Sequence, residues 1–187
     1  LSTCGPLLAA LPMRIATRCT TPMQIRREAS KMADSMGLAM IVVDYIQLMR
    51  PDNMHSSRYE EVSEISRELK LLAMDMGVPV LALTQFNRSS EAGKNGQASK
   101  RPPTMAEAKD SGSIEQDANV FIIQYAPDDP GNDPFSQHAA QVCEAYKWQL
   151  QTLTVEKNRQ GRTGKIAVGF DRAHMRFHNF DFSGVIR

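Results

Sequence analysis

Apolar positions fall along this chain in two rhythms. Ile25, Ala29, Met32, Ala33 and Met36 recur at helical spacing, while Arg26, Arg27, Lys31 and Asp34 lie off that stripe, which predicts an amphipathic helix. Its start is written in Thr21, Pro22 and Gln24: an N-cap hydroxyl, a proline at the first helical position and a glutamine placed to reach back to the cap. Gly37 can end it. A second helix is predicted by Val62, Ile65, Leu69, Leu72, Ala73 and Met76, opened by a capping box of Ser57 and Glu60 and closed by Gly77. Between and beyond these stripes the apolar runs become continuous. Residues 38–43 are apolar throughout, rich in β-branched side chains and closed by Asp44, and residues 78–84 repeat the pattern with Pro79 at the entrance. Such runs suit strands covered on both faces, the signature of a parallel sheet. A short strand is expected at 13–16.

Further along, residues 89–103 are rich in Gly, Ser, Lys and Pro without periodicity and read as a mobile loop. Residues 118–125 return to a buried strand, and 127–134, with three prolines and three aspartates, read as an exposed loop. Residues 150–155 and 165–170 flank a polar turn at 157–164, as the arms of a long hairpin would. Alternation of strand, helix and strand argues for an α/β layered domain with a parallel-core sheet flanked by helices and a C-terminal β-hairpin. Right-handed crossovers would bring Asp44 and Gln85 to the same edge of that sheet, where ligands bind in such folds.

Composition narrows the class. With 187 residues and 42% hydrophobic content the chain can bury one ordinary core. No run approaches the ~18 apolar residues of a membrane-spanning helix, and the first ten residues lack the basic start of a secretory signal. A cytoplasmic, non-membrane protein is expected. Cys4, Cys19 and Cys143 are odd in number, widely spaced and without a CxxC pair, so reduced thiols are expected. The chain begins with Leu1 rather than Met, as a fragment would. Its net charge of +1 is unevenly spread. Residues 156–187 hold seven Lys or Arg (Lys157, Arg159, Arg162, Lys165, Arg172, Arg176, Arg187) against Glu156, Asp171 and Asp181, a patch that either meets phosphates or is a solvated basic edge.

Asp44 closes a buried strand, which is what a Walker B carboxylate requires: the strand fixes the group, and the group orients Mg²⁺ and its waters beside nucleotide phosphates. The same residue could also be an ordinary turn aspartate. Gln85 ends the next strand, where its amide could touch a γ-phosphate or hold the attacking water, and Asn87 and Arg88 follow closely. Other catalytic patterns fail. There is no H-E-x-x-H and no G-x-S-x-G, and His174 and His178 read as surface histidines near a strand.

Four blocks carry a resemblance: Ile41-Val42-Val43-Asp44-Tyr45-Ile46-Gln47-Leu48-Met49, Glu64-Ile65-Ser66-Arg67-Glu68-Leu69-Lys70, Ala82-Leu83-Thr84-Gln85-Phe86-Asn87-Arg88, and Asp110-Ser111-Gly112-Ser113-Ile114-Glu115-Gln116-Asp117-Ala118. In order and spacing they resemble DnaB-type replicative DNA helicases, over about residues 11–180, the later part of that family's RecA-like motor domain. The resemblance implies an ATP- and Mg²⁺-dependent helicase that works as a homo-hexameric ring and moves 5′ to 3′ on single-stranded DNA. A primase and a helicase loader are the implied partners. It makes Asp44 the Walker B aspartate and metal ligand, and Gln85 the γ-phosphate sensor. Lys157 and Arg159 become the arginine-finger hairpin that reaches a neighbouring subunit's site, stabilising charge on the transferring phosphate. Lys109, Asp110, Ser111 and Gly112, with Arg88, become the DNA-contacting set.

The chain departs from the family in two ways. Members commonly carry Arg-Glu where Lys109-Asp110 stands here, and a lysine lacks arginine's planar fork. No G-x-x-x-x-G-K-[ST] occurs, since Gly93-Lys94 and Gly164-Lys165 lack the earlier glycine and the following hydroxyl. The family's phosphate cradle and water-activating glutamate lie upstream of the matched part, so the 187 residues alone are expected to be inactive. Two other functions fit the same fold: a non-catalytic DNA- or partner-binding module, and a RecA-type strand-exchange ATPase.

Overall fold

The computed structural model describes residues 10–53, 57–86, 103–105, 111–127 and 129–181. They divide into two compact units between Gln85 and Phe86. In the first, α1 (Pro22–Met36) begins as its sequence requires. Thr21 Oγ1 accepts from Gln24 N, Gln24 Oε1 accepts from Thr21 N, and Gly37 at φ +83° ends the helix. β1 (Ile41–Val43) and β2 (Val80–Ala82) pair in parallel, with Ile41 opposite Val80 and Val43 opposite Ala82. A 3-10 turn (Ile46–Leu48) and α2 (Arg58–Met76) connect them. α2 opens on the Ser57–Glu60 capping box and closes on Gly77 in the left-handed region at φ +64°, where a side chain is disfavoured. Its face of Val62, Ile65, Leu69 and Leu72 is buried, as are Ile41, Val43, Ile46 and Met49. α2 packs against α1, β2 and the 3-10 turn.

Two expectations for this unit need correction. β1 and β2 are three residues each, and among the described residues only one face of the pair is covered: Val42 is 58% exposed and Leu81 53%. A continuous apolar run permits burial on both sides but does not supply the layer that would cover the second. Residues 13–16 form no strand; Met13 and Ile15 stand exposed, without the neighbouring ladder that a strand needs.

The second unit is built on four antiparallel strands in the order β3 (Val120–Tyr125), β4 (Gln149–Asn158), β5 (Gly164–Asp171), β6 (Arg176–His178). The β4–β5 hairpin matches the pattern read from the sequence, with β4 running on through Lys157. β3 is not buried on both faces: Phe121 and Ile123 are enclosed while Val120 and Ile122 are exposed, the alternation of an antiparallel strand. Within the stretch read as a loop, Asp133 instead caps α4 (Pro134–Tyr146), which buries Ala139 and Cys143. The short α3 (Ser111–Asp117) precedes β3. The 89–103 loop falls mostly outside the described residues, as does Cys4. Cys19 and Cys143 are free thiols, and burial pushes the Cys143 thiol above its usual value.

Trp148 stacks between Tyr146 (centroids 4.8 Å apart) and His178 (4.0 Å), and Gly169 leaves the room, because a Cβ there would stand 2.7 Å from Trp148 Cε3. Gly169→Ala should therefore displace the only tryptophan of the sequence and destabilise the unit by ~1–3 kcal/mol. Tryptophan emission followed through a urea titration should show a shifted native spectrum and a lower midpoint. An unchanged spectrum and midpoint would contradict the packing.

The hydrogen bond from the Ser136 side chain, followed by that from its amide, holds the Asp133 carboxyl below the usual carboxylate range. A depressed folded value means that the cap is fully present above the ordinary aspartate pKa and is lost as pH falls through the folded one. Amide exchange across α4 should thus accelerate in acid, after correction for intrinsic rates. Asp133→Asn, which keeps a capping oxygen, should remove that dependence.

Candidate functional site

The ladder between β1 and β2 extends past both strands: Leu83 N donates to Val43 O at 2.9 Å and Ile46 N to Leu83 O at 2.9 Å. Asp44 follows β1 directly and Gln85 lies three residues beyond the end of β2, so both leave the carboxyl edge of one parallel pair. Both are exposed. The Asp44–Tyr45 peptide is cis. Neighbouring strands run ~4.8 Å apart, so the two segments leave this edge side by side. Among the described residues no group of three His, Cys, Asp or Glu side chains could hold a metal. One carboxylate completed by phosphate oxygens and water would suit Mg²⁺, and Asp44 could supply that carboxylate at this edge.

Two residues given no role from the sequence stand beside this pair. Gln47 Nε2 donates to Thr84 Oγ1 at 2.7 Å, and the Gln47 carbonyl accepts from Arg58 Nη2 at 3.0 Å. Arg58 is fixed in turn by Glu61 at 2.7 Å. The available signal was a polar side chain between Ile46 and Leu48 in an otherwise apolar stretch. Asn87 and Arg88 lie outside the described residues.

The hairpin cations sit otherwise than expected. Lys157, half-buried in β4, donates from Nζ to the carbonyls of Glu115 and Gln116. Arg159 Nη2 donates to Gln116 O at 2.6 Å, and Arg159 N to Asn119 O at 3.0 Å. The cations therefore rest on the last turn of α3 in their own chain. The reason is the helix end, whose final carbonyls have no intrahelical donors and carry the negative end of the helix dipole. The turn itself is held by Asn158, whose Oδ1 accepts from Gln160 N and whose Nδ2 donates to Arg162 O. Arg159, Arg162, Lys165, Arg172 and Arg176 are all exposed.

Ser111 and Gly112 belong to the first turn of α3 rather than to a loop, while Lys109 and Asp110 lie outside the described residues. His174 is exposed and meets Asp171 Oδ2 at 2.7 Å, a contact that holds the Asp171 carboxyl below its usual value. An open cavity is lined by Arg14, Arg18, Gln24, Arg27 and Glu28. It shares no residue with the strand ends, and Arg14 and Lys31 already pair with Glu28.

Comparison with known proteins points one way. The family model described as DnaB-like helicase C terminal domain matches residues 5–179. The chain is 36% identical over 157 residues to the replicative DNA helicase DnaB of Leifsonia xyli subsp. xyli, covering 84% of this chain and 31% of that protein. It is 37% identical over 159 residues to DnaB of Mycobacterium leprae, covering 85% and 24%. The chain thus spans a third or less of the length of these relatives. Among solved structures, a DnaB-like replicative helicase studied with its interactions with primase aligns with a TM-score of 0.67 at 24% identity, over 87% of this chain and 36% of that one. A second structure, of an ATPase domain, aligns equally well, over 87% and 52%. At that identity the likeness speaks for the fold.

The contact between hairpin and helix can be measured directly. Lys157→Met removes a charge-assisted donor from the α3 carbonyls, and a loss of ~1.5 kcal/mol corresponds to about tenfold less protection of the helix amides. Hydrogen exchange should quicken across 111–117 while the centre of β3 is unchanged. Equal exchange in both proteins would mean that the cation does not hold the helix.

Proposed function

This chain belongs to the family of DnaB-like helicase C-terminal domains, and on that footing we propose that residues 1–187 form the later part of a RecA-like helicase motor, from the Walker B strand onward. The full-length protein is then an ATP-dependent replicative helicase that unwinds duplex DNA by moving on single-stranded DNA as a homo-hexameric ring. The observation that carries this reading is the parallel register of β1 and β2, which sends Asp44 and Gln85 off the same edge.

Asp44, exposed at the end of β1, would hold Mg²⁺, which would supply neutralising charge to the nucleotide's phosphates, and Gln85 would touch the γ-phosphate or align the attacking water. The 187 residues contain no G-x-x-x-x-G-K-[ST] sequence, so these groups supply one side of the site and a phosphate cradle must supply the other. By themselves the 187 residues are expected to show no ATP turnover. Lys157 and Arg159 serve the site of the next subunit, exchanging the α3 carbonyls for phosphate oxygens. Lys109, Asp110, Ser111, Gly112 and Arg88 track the DNA backbone, giving sequence-independent and salt-sensitive binding. A primase and a helicase loader are the proposed protein partners.

Activity in trans is the sharpest consequence. In full-length rings, Asp44→Ala and Arg159→Ala should each lower ATP turnover ~10³-fold or more, since a finger alone is typically worth that much. Rings assembled from a mixture of the two variants should regain part of the activity, because some interfaces then join an intact metal site to an intact finger. If mixed rings form and recover nothing, Arg159 acts within its own subunit. Turnover by Asp44→Ala at the wild-type rate would remove the Walker B assignment.

A further inference from the structure

Gln85 lies outside both strands of the pair, between the end of the ladder at Leu83 and a β-bridge residue, Phe86. After Leu83, whose amide and carbonyl complete the ladder to Val43 and Ile46, Thr84 and Gln85 have no strand assignment. A γ-phosphate sensor nevertheless has to be placed to within a fraction of an ångström. The bond from Gln47 Nε2 to Thr84 Oγ1, 2.7 Å long, reaches the residue next to Gln85 from the turn that follows Asp44.

That turn is firmly seated. Ile46 is 2% and Met49 4% exposed, and the Gln47 carbonyl is clamped by Arg58, itself paired with Glu61. The Gln47 amide also carries a cost. Its Oε1 is enclosed and takes no hydrogen bond among the described residues, which is unfavourable for a buried carbonyl group. A methionine of similar length would fill the same space without that cost. The amide is therefore explained by what it holds, not by what it adds to folding.

We infer that Gln47 is a positioning residue, linking the turn after Asp44 to Thr84 so that metal ligand and γ-phosphate sensor keep a fixed relation. This rests on the nucleotide-site reading of Asp44 and Gln85. Gln47 acts through Thr84 and touches no reacting atom. Its loss should thus slow the chemical step while leaving nucleotide binding in place.

The test uses the full-length ring with four variants: Gln47→Met, Thr84→Val, Thr84→Ser and the Gln47→Met/Thr84→Val double. Gln47→Met and Thr84→Val should each lower kcat for ATP by ~10- to 100-fold, with KM and the affinity for a fluorescent ATP analogue changed by less than about twofold. Thr84→Ser keeps the hydroxyl and should stay near wild type. The double variant should be no slower than the worse single one, because both changes break one bond. Unchanged kcat in either single variant, a double variant whose losses multiply, or analogue affinity falling in parallel with kcat would each overturn the inference. Asp44→Ala in the same ring separates the two levels. If it is inactive while Gln47→Met is indifferent, only the role of Gln47 falls; if it turns over normally, the nucleotide-site reading falls first.

Discussion

The edge that carries Asp44 and Gln85 depends on a few backbone hydrogen bonds. Ile41 N donates to Pro79 O at 3.0 Å, Leu83 N to Val43 O and Ile46 N to Leu83 O at 2.9 Å each, and the three continue one parallel ladder past both short strands. Parallel pairing sends both chains out of the sheet at the same end. An antiparallel pair would place Asp44 and Gln85 at opposite ends. The ladder holds because α2 buries Val62, Ile65, Leu69 and Leu72 in a core shared with Ile41 and Val43. The 3-10 turn then anchors the exit with Ile46 and Met49. Asp44 is thus carried between buried Val43 and Ile46, one and two residues away, which is how a side chain is fixed at a solvated edge.

The second unit solves a different problem. A seven-residue helix cannot satisfy its own last carbonyls. Lys157 and Arg159 do so from the β4–β5 hairpin, and the same two cations are the ones assigned to a neighbour's phosphate. Carbonyl oxygens at a helix C-terminus and phosphate oxygens are acceptors of the same donors, and each cation has more than one N–H to give.

How far the sequence could be read follows from the range of the forces involved. Helix starts were legible because a cap is local: Thr21 with Gln24, and Ser57 with Glu60, satisfy their amides within four residues. α4 was legible by the same rule, through Asp133 and Pro134, but was hidden inside a stretch whose prolines and aspartates also suit a loop. Burial was harder to read. The runs at 38–43 and 118–125 are apolar on both faces, yet Val42, Val120 and Ile122 are exposed, because what covers a strand is decided by distant segments. Asp44 and Gln85 could be placed from strand ends alone. Gln47 shows only as a polar side chain between Ile46 and Leu48, and its partner Thr84, 37 residues away, cannot be read from that signal. Lys157 and Arg159 were read as cations on a turn, while their resting partners, the α3 carbonyls, are backbone atoms that carry no sequence signature.

The proposed role of Asp44 as the metal ligand of a nucleotide site becomes measurable with Mn²⁺ in place of Mg²⁺. In the full-length ring loaded with nucleotide, electron paramagnetic resonance counts free Mn²⁺ as the ion is titrated in. Asp44→Asn keeps the shape of the side chain and removes its charge. The assignment predicts that this variant binds nucleotide without metal as the wild type does, while the affinity of the nucleotide-bound ring for Mn²⁺ falls about tenfold or more. Equal Mn²⁺ affinity in the two rings would contradict it.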